Sequence, residues 1–311
     1  MTIEFIKVNV FTNTKDGGNP LPVITDARGL DVTSMQAIAT KFQCSETSFV
    51  FPPEDPAHTA RVRIFNPEQE LKFAGHPSIG TAFVLGRRGT VFGNPIRNPM
   101  FFEEIAGIVR AKLMKEKKKV IGAHIVAPER LCIGQEIDPE IIAACVSLRR
   151  DQIIVHKHQP RFASVGLEFA LARIENLGVL DKACMNAAAY DEARERYPRE
   201  KGRFAVLLYV LTGDGIDHIR TRMFNGKRED PATGSACAAL AGFLTRIDPR
   251  RNLRTKIIIE QGIEMKHPSL LKLEVHKAKS IVKRVSVGGQ CVLVEHGTVG
   301  CDGQLLTSYT L

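Results

Sequence analysis

Tryptophan is absent from the 311 residues, tyrosine occurs four times, and all aromatics together make up 6%. No apolar run approaches the roughly 20 residues that carry a helix across a bilayer, which argues against a helical membrane protein. Neither G-x-G-x-x-G nor a P-loop occurs, so no nucleotide cofactor is implied. The seven cysteines are odd in number and show no C-x-x-C spacing. That pattern fits reduced thiols in a cytoplasm better than a disulfide framework or a zinc ribbon. The opening residues Met1-Thr-Ile-Glu-Phe-Ile-Lys contain an acid and read as a strand, not as a signal peptide.

What is present is ordinary for a globular chain: 44% hydrophobic and 25% charged residues, in a length that suits two domains. The net charge of +9 comes largely from Lys112 to Lys119 and from the pair Arg149-Arg150. The lysine run lies between two apolar segments and reads as a solvated hairpin turn. No aromatic or reading element accompanies it, so the charge does not argue for a nucleic-acid partner.

The chain also repeats itself. Shifted by 159 residues without a gap, the segment from Arg222 falls on the segment from Arg63. Arg63 meets Arg222, Phe65 meets Phe224, Asn66 meets Asn225, Glu70 meets Glu229, Gly75 meets Gly234, Ala82 meets Ala241 and Leu85 meets Leu244. Each copy reads as a strand, a polar loop and a small-residue helix with no polar face, buried within its own half. The helices over 77–86 and 235–245 begin just after Gly75-His76 and at Gly234-Ser235. First-turn N–H groups carry partial positive charge, and glycine lets a ligand come close, so two such ends facing each other would clamp a carboxylate. Ordinary N-caps, with Asp230 and Ser235 as cap residues, would use the same residue types.

Elsewhere, residues 3–10, 21–24 and 48–51 read as strands, and Asp31 caps an amphipathic helix over 32–42. Short helices are expected over 140–148 and 191–197, with turns at Gly166, Gly178 and Gly213-Asp214-Gly215. Strands are expected over 204–212, 256–263, 271–275, 281–287 and 290–295. His156 and His158 share one face at strand spacing and read as a surface pair without a metal set. Cys237 reads as core. The fold class is α+β: two strongly curved sheets, each wrapped around a central helix. Domains of 1–130 and 131–311 follow, with the side taken by the last strand left open.

Taken together, Phe11 with Gly18-Asn19-Pro20, Ser45-Glu46-Thr47, Phe73-Ala-Gly-His-Pro, Glu229-Asp-Pro-Ala-Thr-Gly-Ser and Glu260-Gln-Gly-Ile-Glu-Met resemble the PhzF-like proteins of the diaminopimelate epimerase fold. The resemblance implies two pseudo-symmetric barrel-like domains with a site in the cleft between them, cofactor-free isomerase chemistry and a homodimer. By position it makes Glu46 the acid/base, with His76 and Asp230 as polar partners. Asn19, Ser45, Gly75, Gly234 and Ser235 would then hold a small carboxylate substrate. Read by itself, Glu46 is first an exposed or amide-capping carboxylate at a helix–strand junction. Enclosure would raise the pKa of such a group towards the range useful for proton shuttling. Ala74 and Pro231 stand where related racemases carry thiols, which disfavours a two-cysteine mechanism. Lys266-His267 departs from the Gly-Arg more usual in the family. A non-catalytic binding protein on the same fold is the alternative function.

Overall fold

A computed structural model describes residues 2–199, 202–213 and 215–311, so Asp214 of the expected turn lies outside it. In chain order the elements are β1 (Thr2–Val10), β2 (Asn19–Ile24), α1 (Val32–Phe42), β3 (Thr47–Phe51), β4 (Ala60–Phe65), β5 (Glu70–Leu71), α2 (Gly75–Arg88), β6 (Thr90–Val91), β7 (Asn94–Pro95), β8 (Met100–Glu104), β9 (Gly107–Glu116) and β10 (Lys119–Val126). There follow β11 (Cys132–Glu136), α3 (Pro139–Cys145), β12 (Arg161–Ser164), β13 (Glu168–Arg173), α4 (Leu177–Lys182), α5 (Ala187–Arg196), β14 (Val206–Leu211), β15 (His218–Phe224) and β16 (Glu229–Asp230). The chain ends with α6 (Gly234–Ile247), β17 (Leu253–Gln261), β18 (Ser269–Ala278), β19 (Ile281–Gly300) and β20 (Leu305–Thr310). It divides into unit 1, Met1–Pro128 with Ser286–Leu311, and unit 2, Glu129–Val285.

Unit 1 is a closed eight-stranded barrel. From β1 the ring runs antiparallel to β2, parallel to β3, antiparallel to β4, parallel to β8, then antiparallel through β9 and β10. The long β19 pairs with both β10 and β1 and closes it. Inside runs α2, buried on every face from Gly75 to Leu85. Its small residues let the barrel strands approach the helix closely. A Cβ on Gly80 would lie 2.5 Å from Leu21 Cδ2 and 2.8 Å from Val10 Cγ2. Outside the barrel lies α1, with Asp31 Oδ1 accepting the Ser34 amide at 2.7 Å. Its Met35, Ile38 and Ala39 pack with Phe5, Phe49 and Phe65. Burial of each large side chain is worth about 1.5–3 kcal/mol.

Unit 2 repeats the order of pairings. From β12 it runs antiparallel to β13, parallel to β14, antiparallel to β15, parallel to β17 and antiparallel to β18, with β11 alongside β12. Gly234 to Thr245 of α6 are buried throughout. An outer layer from α3, α4 and α5 packs Ile142, Leu180 and Tyr190 with Phe162, Leu208 and Phe224.

The internal repeat has a concrete structural meaning. The short β5 and β16 and the helices α2 and α6 begin and end 159 residues apart. Arg63 grips Glu70 through Nε and a terminal nitrogen, both at 2.7 Å. Arg222 grips Glu229 in the same way, both at 2.8 Å. Each guanidinium also lies over the aromatic ring two residues on, Phe65 or Phe224. Asn66 Oδ1 accepts the amides of Glu68 and Gln69, and Asn225 Oδ1 those of Lys227 and Arg228. Most of the shared residues thus brace the hairpin ahead of each helix.

Three expectations are corrected. The strands expected over 281–287 and 290–295 are one, β19, which passes straight through Gly288-Gly289. Those glycines mark a close approach, not a turn: a Cβ on Gly288 would lie 2.3 Å from His124 Cβ on β10. Gly178 lies within α4, whose start is capped by Asn176 accepting the Val179 amide. His158 is half-buried and not a simple surface residue: it bonds the Tyr209 hydroxyl and stands edge-on to Phe243, 4.8 Å between centroids. The lysine-rich segment does form the β9–β10 hairpin, with Lys117 and Lys118 at its tip at φ 45° and 70°.

Candidate functional site

In unit 1 the predicted residues converge at the start of α2. Gly18, at φ +79°, turns the chain into β2 where a Cβ would lie 2.5 Å from Val10 O, and this seats buried Asn19 opposite Val10. At the other side, α1 ends at Gln43 in the left-handed region, and the chain passes through Ser45 and Glu46 into β3. Glu46 Oε2 lies 3.3 Å from His76 Nδ1. Glu46 is therefore half-buried, not exposed: its side chain keeps 18% of its exposure and faces the imidazole.

Enclosure pushes the His76 imidazole down to about 3, with a hydrogen bond to the Pro20 backbone pulling the other way. The ring is neutral at ordinary pH, so its contact with Glu46 is not an ion pair. Its Nε2 is buried without a partner. The bond to Pro20 therefore uses Nδ1 as donor and leaves the Nε2 lone pair bare. Beside it, α2 begins at Ala74 with no side-chain cap, whereas α1, α3 and α4 are capped by Asp31, Asp138 and Asn176.

Unit 2 places Asp230, Gly234 and Ser235 at the start of α6. Here too the N-cap residue, Thr233, makes no side-chain cap; its hydroxyl donates to Asp230 Oδ2 at 2.5 Å. Neither Asp230 nor Ser235 is the cap residue that local sequence reading allowed. Gln261 locks the turn: it accepts from the Thr233 amide at 3.1 Å and donates to the Asp230 carbonyl at 2.7 Å. Gly262 permits this, because a Cβ there would lie 2.5 Å from both Pro231 O and His267 O. Cys237 is core, its thiol pushed up to about 12 by burial and in contact with Gln261 Oε1 at 3.4 Å. Lys266 holds φ 61°, a conformation that a glycine would adopt without strain.

Unit 1 thus gathers Asn19, Ser45, Glu46, Gly75 and His76, and unit 2 gathers Asp230, Gly234 and Ser235. Sequence reasoning missed Thr233 and Gln261 as organisers of the second set, and the buried pair Ser78–Glu104 behind the first. Gln261 stood in a quoted motif, but nothing local indicated that its amide would reach back 31 residues to Asp230.

Comparison with known proteins bears on what these residues do. Residues 8–297 match the family model described as phenazine biosynthesis-like protein. An uncharacterised isomerase of Mesorhizobium japonicum is 34% identical over 95% of this chain and 98% of its own length. The trans-2,3-dihydro-3-hydroxyanthranilate isomerase of Pseudomonas chlororaphis is 30% identical over 95% and 99%. Among solved structures, a PhzF-family protein of Bacillus anthracis superposes with a TM-score of 0.80, at 23% identity, over 96% of this chain and 99% of that one. A match over nearly the whole length, with the motif residues drawn together in each unit, leads to one conclusion: this chain is a member of the PhzF, or phenazine biosynthesis-like, family.

Proposed function

We propose that the protein is a cofactor-independent isomerase of a small carboxylic acid, working by proton transfer through Glu46. The observation that carries this reading is the Glu46 carboxylate 3.3 Å from a buried, neutral His76 at the uncapped start of α2. Relatives named as isomerases support the reaction class. In the proposed step the Glu46 carboxylate takes a proton from one carbon of a conjugated acid and returns it to another. The negative charge that develops on the substrate between the two transfers is met by first-turn N–H groups. His76, neutral and fixed by Pro20, fits a polar partner that orients without adding charge. Asn19, Ser45 and Gly75 are the binding set proposed from unit 1, and Asp230, Gly234 and Ser235 that from unit 2. Both units are proposed to be pseudo-symmetric barrel-like copies, in keeping with their matching order of strand pairings. A homodimer belongs to the same proposal, and sedimentation would decide it.

Candidate cyclic and amino-acid-like acids would be screened for deuterium uptake at carbon from D₂O. In Glu46→Gln the exchange rate should fall by about 10² to 10⁴, the usual worth of general acid–base catalysis, with binding nearly unchanged. Asp230→Asn should cost less. Exchange that persists in Glu46→Gln would remove Glu46 from the mechanism.

A further inference from the structure

Glu104 ends β8 with its side chain turned into the barrel of unit 1. Ser78 in the first turns of α2 has its Oγ 2.7 Å from Glu104 Oε1 and 3.0 Å from the Ala74 carbonyl, so its single hydroxyl proton is shared between two acceptors. The second oxygen, Oε2, is buried with no hydrogen-bond partner. A lone acceptor there is costly, about 1–3 kcal/mol and more if charged.

The counterpart in unit 2 shows what the position is for. Arg61 lies opposite Glu103 in the β4–β8 pairing, and Arg220 opposite Glu260 in the β15–β17 pairing. One residue further along, Glu104 therefore corresponds to Gln261. Ser78 and Cys237 correspond as well, being 159 residues apart, and Cys237 contacts Gln261 Oε1 as Ser78 contacts Glu104 Oε1. In unit 2 the other end of the side chain is an amide that donates to the Asp230 carbonyl and to Thr233 Oγ1. A glutamate in that position can donate only if it carries a proton.

We infer that Glu104 is a protonated, uncharged carboxylic acid that stands in for glutamine and, through Ser78, is a positioning residue for the turn 71–78 that presents Gly75 and His76. Burial without any charged partner agrees: enclosure pushes Glu104 up to about 8, opposed by the Ser78 hydrogen bond. Ser78 on α2 is the polar side chain that faces it, and among the described residues no ion pair reaches it. The nearest titratable group along α2 is His76, two residues from Ser78 and neutral. The positioning role rests on the proposed part of His76 in catalysis; the proton on Glu104 does not.

The test compares wild type with Glu104→Gln and Glu104→Leu. Infrared spectra at pH 6 should show a protonated-carboxyl carbonyl band that both variants lose, and in wild type that band should fade as pH rises through about 8. The ring resonances of His76 should shift with the same midpoint in wild type and stay flat in Glu104→Gln. Because the folded pKa is raised from 4.5 to about 8, the stability Glu104 contributes is complete below 4.5 and lost as pH rises to about 8. The Tm of Glu104→Gln relative to wild type should climb across that window and level above it. Exchange activity should survive in Glu104→Gln and drop at least tenfold in Glu104→Leu. A missing carboxyl band at pH 6, or a Glu104→Gln protein whose pH dependence follows wild type, would overturn the inference whatever the variants do to catalysis. Equal activity in Glu104→Leu, with the band present, would overturn the positioning role and leave the proton standing.

Discussion

At the scale of single residues, burial decides more than residue type. Glu46 could be read from its position as an exposed carboxylate, and the resemblance alone made it catalytic. The structure adds the 3.3 Å approach to His76 and the enclosure of that ring. An imidazole held down to about 3 against an ordinary 6.5 binds a proton in the unfolded chain but not in the folded one between those values. Its contribution to stability is complete above about 6.5 and lost as pH falls towards 3. Urea midpoints should therefore drop between pH 7 and 4.5 in wild type and less steeply in His76→Asn. A His76 ring that titrates near 6.5 by NMR would contradict the burial argument. Cys237 was legible as core because an apolar, small-residue helix leaves a thiol no exposed face.

Among the elements, the hairpin brace and the central helices explain why the repeat was readable. Both copies need a bidentate arginine–glutamate pair to hold a two-residue strand, so both kept it. The copies differ in load. Arg222 donates also to the carbonyls of Leu180, Asp181 and Ala183 at the end of α4, and is buried, whereas Arg63 is about a quarter exposed. Arg222→Met should cost about 3 kcal/mol, as expected for breaking a buried pair, and Arg63→Met about 1 kcal/mol, as for a screened one. Chemical denaturation would rank them, and equal losses would refute the role given to α4. Gly80 tests the barrel wall. In an exposed helix Gly→Ala gains about 1 kcal/mol, but here the new methyl meets Leu21 and Val10 and overpacking costs about 1–3 kcal/mol. A net loss in Tm is expected. The Gln261–Asp230 lock was illegible because it joins elements that an ungapped shift does not align. The offset of 159 holds to the end of α6 and then shortens, since Glu104 answers to Gln261.

For the molecule as a whole, both ends of the chain build unit 1. Residues 286–311 return to the first barrel, where β19 fills the gap between β10 and β1. A chain ending at residue 285 would leave two open strand edges in unit 1, so hydrogen exchange should show protection lost in β1 and β10 while α6 stays protected. Retained protection in β1 would mean that the barrel does not need its last strand.

The sequence by itself determined the α+β class, the doubling, the two buried helices and the motif residues at their starts. Those follow from periodicity, small-residue content and spacing, which are local properties of the chain. Only the tertiary structure decided that Gly288-Gly289 lies inside one strand, that the barrel closes through the far end of the chain, and that Glu104 answers to Gln261. Each of these depends on which backbone lies beside which. That is a matter of pairing over long separations, where the pattern along any one segment is the same for several partners.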